Sequence, residues 1–343
     1  MSKPFLFCFL LWLVPAHPSF GQVTWRKVRE ELIVAQPAFA QCHASTILEI
    51  SPERRLAAFF AGPHEGHQDV GIWLAVEQEG TWLPPVVVAT GESGDSLRYP
   101  CWNPVLFRSR AGTVFLFYKV GPNPRKWWGL VRMSRDEGRT WSAPVRLPDG
   151  ILGPVKNKPV QLADGTILSP SSTETETKWS VHVERSADGG VTWQRIPVHP
   201  ESPVQVIQPS ILHYGARRLQ LLCRSRHDRL MEAWSEDGGK TWGPLTATSV
   251  MNPNAGTDAV TLQNGRQLLV YNPALSGREW YNGRSRLHVA MSGDGIYWND
   301  VAVLENGDGE EYSYPAVIEG SDGRVHITYT YNRKNIKYVV LEP

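Results

Sequence analysis

Ser134-Arg135-Asp136-Glu137-Gly138-Arg139-Thr140-Trp141 returns twice, nearly unchanged. The second copy is Ser186-Ala187-Asp188-Gly189-Gly190-Val191-Thr192-Trp193, and the third is Ser235-Glu236-Asp237-Gly238-Gly239-Lys240-Thr241-Trp242. Ser292-Gly293-Asp294-Gly295-Ile296-Tyr297-Trp298 is one residue short, and Glu77-Gln78-Glu79-Gly80-Thr81-Trp82 is a worn copy. The motif reads as a hairpin turn. Asp accepts backbone amides, Gly supplies positive φ, and Trp packs between neighbouring sheets. Its residues therefore carry structure and receive no catalytic role. The tryptophans at 82, 141, 193, 242 and 298 set a period of 49 to 59 residues, a range that points to propellers.

A second register gives the count. Turn-then-strand segments begin near Glu53, Ala111, Asp164, Ala216, Asn264 and Asp322, each after a shorter strand: 45–50, 104–108, 159–163, 209–214, 259–263 and 315–320. Six units of about four strands fill residues 22–343, and closing them into a ring removes the free sheet edges. The expected fold is all-β, a six-bladed β-propeller in one domain. The sixth unit lacks the motif, so residues 23–34 are expected to complete it.

Composition agrees. The chain has 343 residues, 41% of them apolar, with 30 Gly and 26 Pro, a balance that suits many short strands and turns. A formal net charge of +1 argues against a nucleic-acid partner. Lys3, the apolar run 5–14 and the small residues Ser19 and Gly21 read as a signal peptide over 1–21, cleaved before Gln22. The run is too short to span a bilayer. A secreted or periplasmic monomer without a membrane partner is the expectation. Cys42, Cys101 and Cys223 remain in the mature chain, enough for one disulfide at most.

Propeller topology narrows the site to one face. The residues just before each first strand and the loops after each second strand meet there, opposite the Asp-containing turns. The first set holds His43, Asn103, the run Lys156-Asn157-Lys158, Gln208, Asp258, Tyr312 and Tyr314. The second holds His64-Glu65-Gly66-His67-Gln68-Asp69, Tyr118-Lys119, residues 171–176, Arg224-Ser225-Arg226-His227, residues 272–284 and Tyr331-Asn332-Arg333. Such a funnel of His, Arg, Lys and Tyr suits a small anionic ligand. Trp127 and Trp128 read either as a sugar-stacking platform or as a blade wall. His64-x-x-His67 lacks a third ligand at a convincing spacing, so neither metal nor cofactor is expected.

With these motifs the chain resembles the sialidase superfamily, whose repeats are called Asp boxes, and in the wording of its strands a bacterial group labelled predicted neuraminidases. The resemblance implies three arginines on a substrate carboxylate, a Tyr nucleophile paired with Glu, and an Asp acid/base. Glu311-Tyr312-Ser313 matches the segment of the nucleophile. Leu222-Cys223-Arg224 and Arg284-Ser285-Arg286-Leu287 match those of the second and third arginines. The first arginine's slot reads His43-Ala44-Ser45, the acid loop offers His64-Glu65-Gly66-His67, and the Glu is replaced by Gln208. A neutral amide cannot remove the Tyr proton.

Those replacements suit β-elimination beside a uronic acid. The reaction needs a neutralised carboxylate, a base for the C5 proton and an acid for the leaving oxygen. The His pair is similar to that of lyases releasing rhamnose from glucuronate. The expected catalytic residues are His43 and His64, as base and acid, and Tyr312, assisting by hydrogen bonding. The expected substrate-binding residues are Arg224, Arg284, His67, Asn103, Lys158, Gln208 and Asp258, and the expected partner is an acidic glycan. An exo-α-sialidase with altered catalysis and a non-catalytic glycan-binding propeller are the alternatives.

Overall fold

The computed structural model describes residues 25–92 and 97–343. The signal peptide expected over 1–21 lies outside the described residues. The chain is all-β, with six antiparallel sheets arranged as a propeller. Strand β1 (Arg26–Leu32) comes first. Blade 1 follows with β2 (Gln41–Ser51), β3 (Arg54–Gly62), β4 (Gly71–Gln78), β5 (Thr81–Trp82) and β6 (Val86–Ala89). Blade 2 is β7 (Cys101–Arg108), β8 (Val114–Val120), β9 (Trp128–Ser134) and β10 (Val145–Arg146). Blade 3 is β11 (Val160–Gln161), β12 (Ile167–Glu174), β13 (Trp179–Ser186) and β14 (Gln194–Pro197). Blade 4 is β15 (Val206–Tyr214), β16 (Arg218–Ser225), β17 (Arg229–Ser235) and β18 (Thr246–Met251). Blade 5 is β19 (Asp258–Thr261), β20 (Gln267–Tyr271), β21 (Arg286–Ser292) and β22 (Asn299–Asn306). Blade 6 is β23 (Tyr312–Glu319), β24 (Val325–Tyr331) and β25 (Asn335–Glu342), and β1 pairs with β25 as its outer strand.

Each Asp box closes the turn after a third strand. In blade 2, Ser134 Oγ accepts the Gly138 amide at 2.8 Å and donates to Asp136 Oδ1 at 2.7 Å. Asp136 also takes the Thr140 amide and hydroxyl at 2.8 and 2.6 Å. Asp188 and Asp237 repeat the arrangement with Thr192 and Thr241. The glycine is required by proximity as well as by its φ of 81°, since a Cβ on Gly138 would sit 2.6 Å from Leu56 Cδ1 in blade 1. Each box thus leans on the preceding blade.

The core follows from this arrangement: it is a ring of wedges between blades. Leu56, Ala58 and Phe60 meet Leu106, Leu116 and Tyr118 between blades 1 and 2. Leu268, Val289 and Leu304 meet Val317, Tyr329 and Val339 between blades 5 and 6. Burying both faces of a strand explains continuous apolar runs such as Val114–Val120, where no residue is exposed. Where blade 1 meets blade 6, the worn box turns Glu77 inward. Its carboxylate receives Arg29 of β1 and Arg55 of β3, at 2.5 and 2.7 Å.

Polar side chains cross the axis. Lys156 Nζ donates to Asn157 Oδ1, Thr257 O and Pro315 O at 2.8, 2.9 and 2.6 Å. Lys158 Nζ meets Asp258 Oδ2 at 2.8 Å, and that oxygen also accepts the Val317 amide at 2.9 Å. Blades 3, 5 and 6 are thereby tied together. The cysteines at 42, 101 and 223 are free and buried.

Candidate functional site

Four first strands carry a bulge near the axis, and each bulge holds a non-glycine residue at positive φ. These are Ala44 (55°), Asn103 (37°), Gln208 (54°) and Tyr314 (53°). A left-handed residue inside a strand costs energy and re-aims its side chain. At Tyr314 the effect decides the site. Tyr312 is buried at the start of β23, in the apolar wedge with Leu287 and Tyr329, its ring 5.1 Å from Tyr331. Desolvation pushes its phenol above the ordinary range. Two residues on, past the bulge, Tyr314 is only partly buried and its hydroxyl accepts Arg224 NH1 at 2.6 Å and Gln208 Nε2 at 3.4 Å. Tyr314, and not the expected Tyr312, is therefore the tyrosine that faces the funnel. The sequence carried a signal: Asn103-Pro104, Gln208-Pro209 and Tyr314-Pro315 occupy one register.

Arg224 donates to that hydroxyl, and the charge of Arg284 is felt by both. Arg224, near the end of β16, is buried and donates to three neutral acceptors: Asn254 Oδ1 at 2.8 Å, Gln208 Oε1 at 3.2 Å and Tyr314 Oη. Among the described residues no carboxylate forms a salt bridge with it. Arg284 donates to the Asn254 carbonyl at 3.3 Å and to Glu311 at 3.2 Å. Glu311 also receives Arg333 at 2.7 Å, and Arg333 reaches Glu65 in the loop after β3. Arg284 and Arg333 both lie over Trp280, at 5.1 and 4.7 Å. Crowding has an electrostatic signature: burial and the Arg224 charge lower the Arg284 pKa. Arg333, from the end of blade 6, joins Arg224 and Arg284 although it was not among the expected binding residues. It lies in the turn between β24 and β25, two residues past the end of β24, one of the loops after a second strand.

His43 is buried against Tyr314, with ring centroids 4.2 Å apart, and its Nδ1 has no hydrogen-bond partner. Desolvation lowers its pKa well below the usual imidazole range, and Arg333, Arg284, Arg224 and Lys156 add to this. It is a neutral imidazole beside the site. His64 is exposed in the loop after β3, its Nδ1 3.1 Å from the Glu65 carbonyl. His43 and His64 line one small pocket with Phe60 and Arg333. His67 lies 5.1 Å from His64, and its Nδ1 accepts the Asp69 amide. Among the described residues no group of three His, Cys, Asp or Glu is placed to hold a metal.

Three expected binding residues are committed elsewhere. Lys158 and Asp258 bind each other below the funnel, and Asn103 donates to the Val155 carbonyl at 2.9 Å. Polar residues this close to the axis tie blades together, so position alone did not separate them from ligand contacts. Gln208 stays with Tyr314 and Arg224. Trp127 is buried with Trp102, and Trp128 packs among the residues between blades 1 and 2, so both wall blades.

Comparison with known proteins places the fold. A sialidase of Bacteroides fragilis is 22% identical over 212 residues, covering 52% of this chain, which spans 37% of that relative's length. A protein of unknown function from Dyadobacter fermentans superposes with a TM-score of 0.76 at 18% identity, over 93% of this chain and 99% of its own. A sialidase of Streptococcus pneumoniae gives 0.70 at 12% identity, over 91% and 70%. These structures share the fold. The pattern of the BNR repeat-like domain covers residues 53–327, most of the propeller, and the chain belongs to that family, with a sialidase-like six-bladed fold.

Proposed function

We propose that the protein is a sialidase-like carbohydrate-active enzyme that cleaves the linkage of a terminal sugar at an acidic residue by β-elimination, a rhamnosyl-glucuronate type of linkage being the best fit. The observation that carries this reading is the surroundings of Tyr314 Oη: two hydrogen-bond donors, Arg224 and Gln208, with no carboxylate in hydrogen-bond contact among the described residues. Arg224, Arg284 and Arg333 receive the sugar carboxylate and withdraw charge from the adjacent C–H. His43, neutral at rest, takes the C5 proton on its ring nitrogen, and the pair of the broken C–H bond forms the new double bond as the bond to the leaving oxygen breaks. The carboxylate that enters offsets the arginines that depress His43, so the base strengthens when substrate is bound. Tyr314 positions the ring by hydrogen bonding.

A second reading, retaining hydrolysis by an exo-α-sialidase, is favoured by the tyrosine itself: Tyr314 follows directly on the matched segment Glu311-Tyr312-Ser313, and its hydroxyl accepts Arg224. Product analysis on a panel of acidic glycans separates the two. Unsaturated uronide, seen by its absorbance, supports elimination. Free sialic acid without unsaturation, and a sugar trapped on Tyr314 by a fluorinated sialic-acid probe, overturns it. Binding without any product makes the chain a glycan-binding propeller.

A further inference from the structure

The carboxyls nearest the arginines are not equivalent. Glu311 and Glu65 are held in salt bridges by Arg284 and Arg333. Glu174 is different. It is the last residue of β12 and so stands at the funnel end of a second strand, as Arg224 stands near the end of β16 one blade on. Among the described residues it makes no hydrogen bond and no salt bridge, although it is partly buried.

Register fixes the side to which it points. Residues two apart on a strand share a face, so Glu174 lies on the side of Ser172, whose Oγ accepts the Gln208 amide at 3.2 Å. Across the ladder it pairs with Trp179, and paired residues also share a face. The Trp179 ring carries the guanidinium groups of Arg224 and Arg226, at 5.6 and 3.9 Å. Glu174 therefore projects into the gap between blades 3 and 4, beside the arginine that grips Tyr314 Oη.

We infer that Glu174 is the proton donor to the leaving glycosidic oxygen. The inference rests on the funnel's catalytic reading and deepens it: a carboxylic acid on a rigid strand end takes the acid role expected of the exposed loop residue His64. In the step, the bond from the sugar carbon to the leaving oxygen breaks, its electron pair stays on that oxygen, and the Glu174 hydrogen joins it, leaving a carboxylate beside Arg224. Burial pushes the Glu174 carboxyl above its ordinary range, and Arg224, Arg226 and Arg125 oppose this only in part. That balance favours the acid form relative to an ordinary Glu and stabilises the anion that follows.

Leaving-group dependence tests it. Glu174→Gln keeps the shape and removes the proton. With a sugar leaving group, kcat is expected to fall by about 10²–10⁴-fold. The same acidic sugar with an aryloxy group on the bond that breaks needs no proton, so there the variant should stay within about tenfold of wild type, and KM should move little for either. Glu174→Asp, which restores an acid, should recover part of the lost rate. Equal losses on both substrates, or a loss carried by KM, would make Glu174 a charge partner of Arg224 and overturn the assignment. An active wild type with an unaffected variant overturns it too. A wild type that cleaves neither substrate overturns the catalytic reading itself, and the assignment with it.

Discussion

The two tyrosines of one strand separate what sequence reading could reach from what it could not. Strand alternation alone gives Tyr312 and Tyr314 the same face, and only the bulge, with Tyr314 at a φ of 53°, turns the second toward the axis. Tyr314→Phe is expected to lower turnover by about 10–10³-fold with the melting temperature kept, while Tyr312→Phe leaves turnover near wild type. Parallel kinetics and melting curves check this, and the reverse pattern would restore the family alignment as first drawn. Arg224 contacts neutral acceptors through its Nε and NH1. Arg224→Lys keeps the charge but loses the planar grip, and should weaken acidic-glycan binding by about tenfold or more in a titration. Arg224, Arg284 and Gln208 were legible because they sit in strand-end and pre-strand segments with recognisable neighbours. Arg333 was legible as a residue of a mouth loop but not as a binding residue, because no matched segment singled it out.

At the level of elements, the Asp box was almost fully legible, since its chemistry is local. The Thr140 hydroxyl and amide and the Ser134 hydroxyl hold the Asp136 carboxyl down at about 2, and Thr192 and Ser186 depress Asp188 further. For Asp237, burial opposes the shift and Thr241 outweighs it, leaving it at about 2. An unfolded Asp titrates near 3.9. These groups therefore add stability above pH ~4 that is lost as the pH falls toward ~2. Acid titration of the fold by circular dichroism should show that loss, and replacing Asp136 by Asn should shrink it. The box tryptophans are half-buried: Trp193 packs beside Phe117 at 6.2 Å and donates its indole hydrogen to Gly190 O. Trp193→Ala should cost about 2 kcal/mol, less than the roughly 3–5 kcal/mol of a fully buried Trp. What local reading missed was that Lys156, Lys158 and Asp258, around the first strands of blades 3 and 5, bond to one another's blades across the axis.

The whole molecule is a ring whose closure depends on its first strand. Strand β1 covers the edge of β25 and brings Arg29 to the buried Glu77. The six-fold count and the closing segment were both readable, because two independent repeats had to agree. A chain beginning at Ile33 should melt at a lower temperature and associate through the uncovered β25 edge, as calorimetry and size-exclusion chromatography would record. Closure also brings arginines from blades 4, 5 and 6 to one mouth, and the central claim is that this mouth takes a sugar carboxylate. Calorimetric titration with an acidic oligosaccharide and with its carboxyl-reduced counterpart is the most direct test. The account predicts binding of the acid that falls at least about tenfold on reduction and likewise on Arg224→Lys. Equal binding of the acidic and reduced sugars would contradict it.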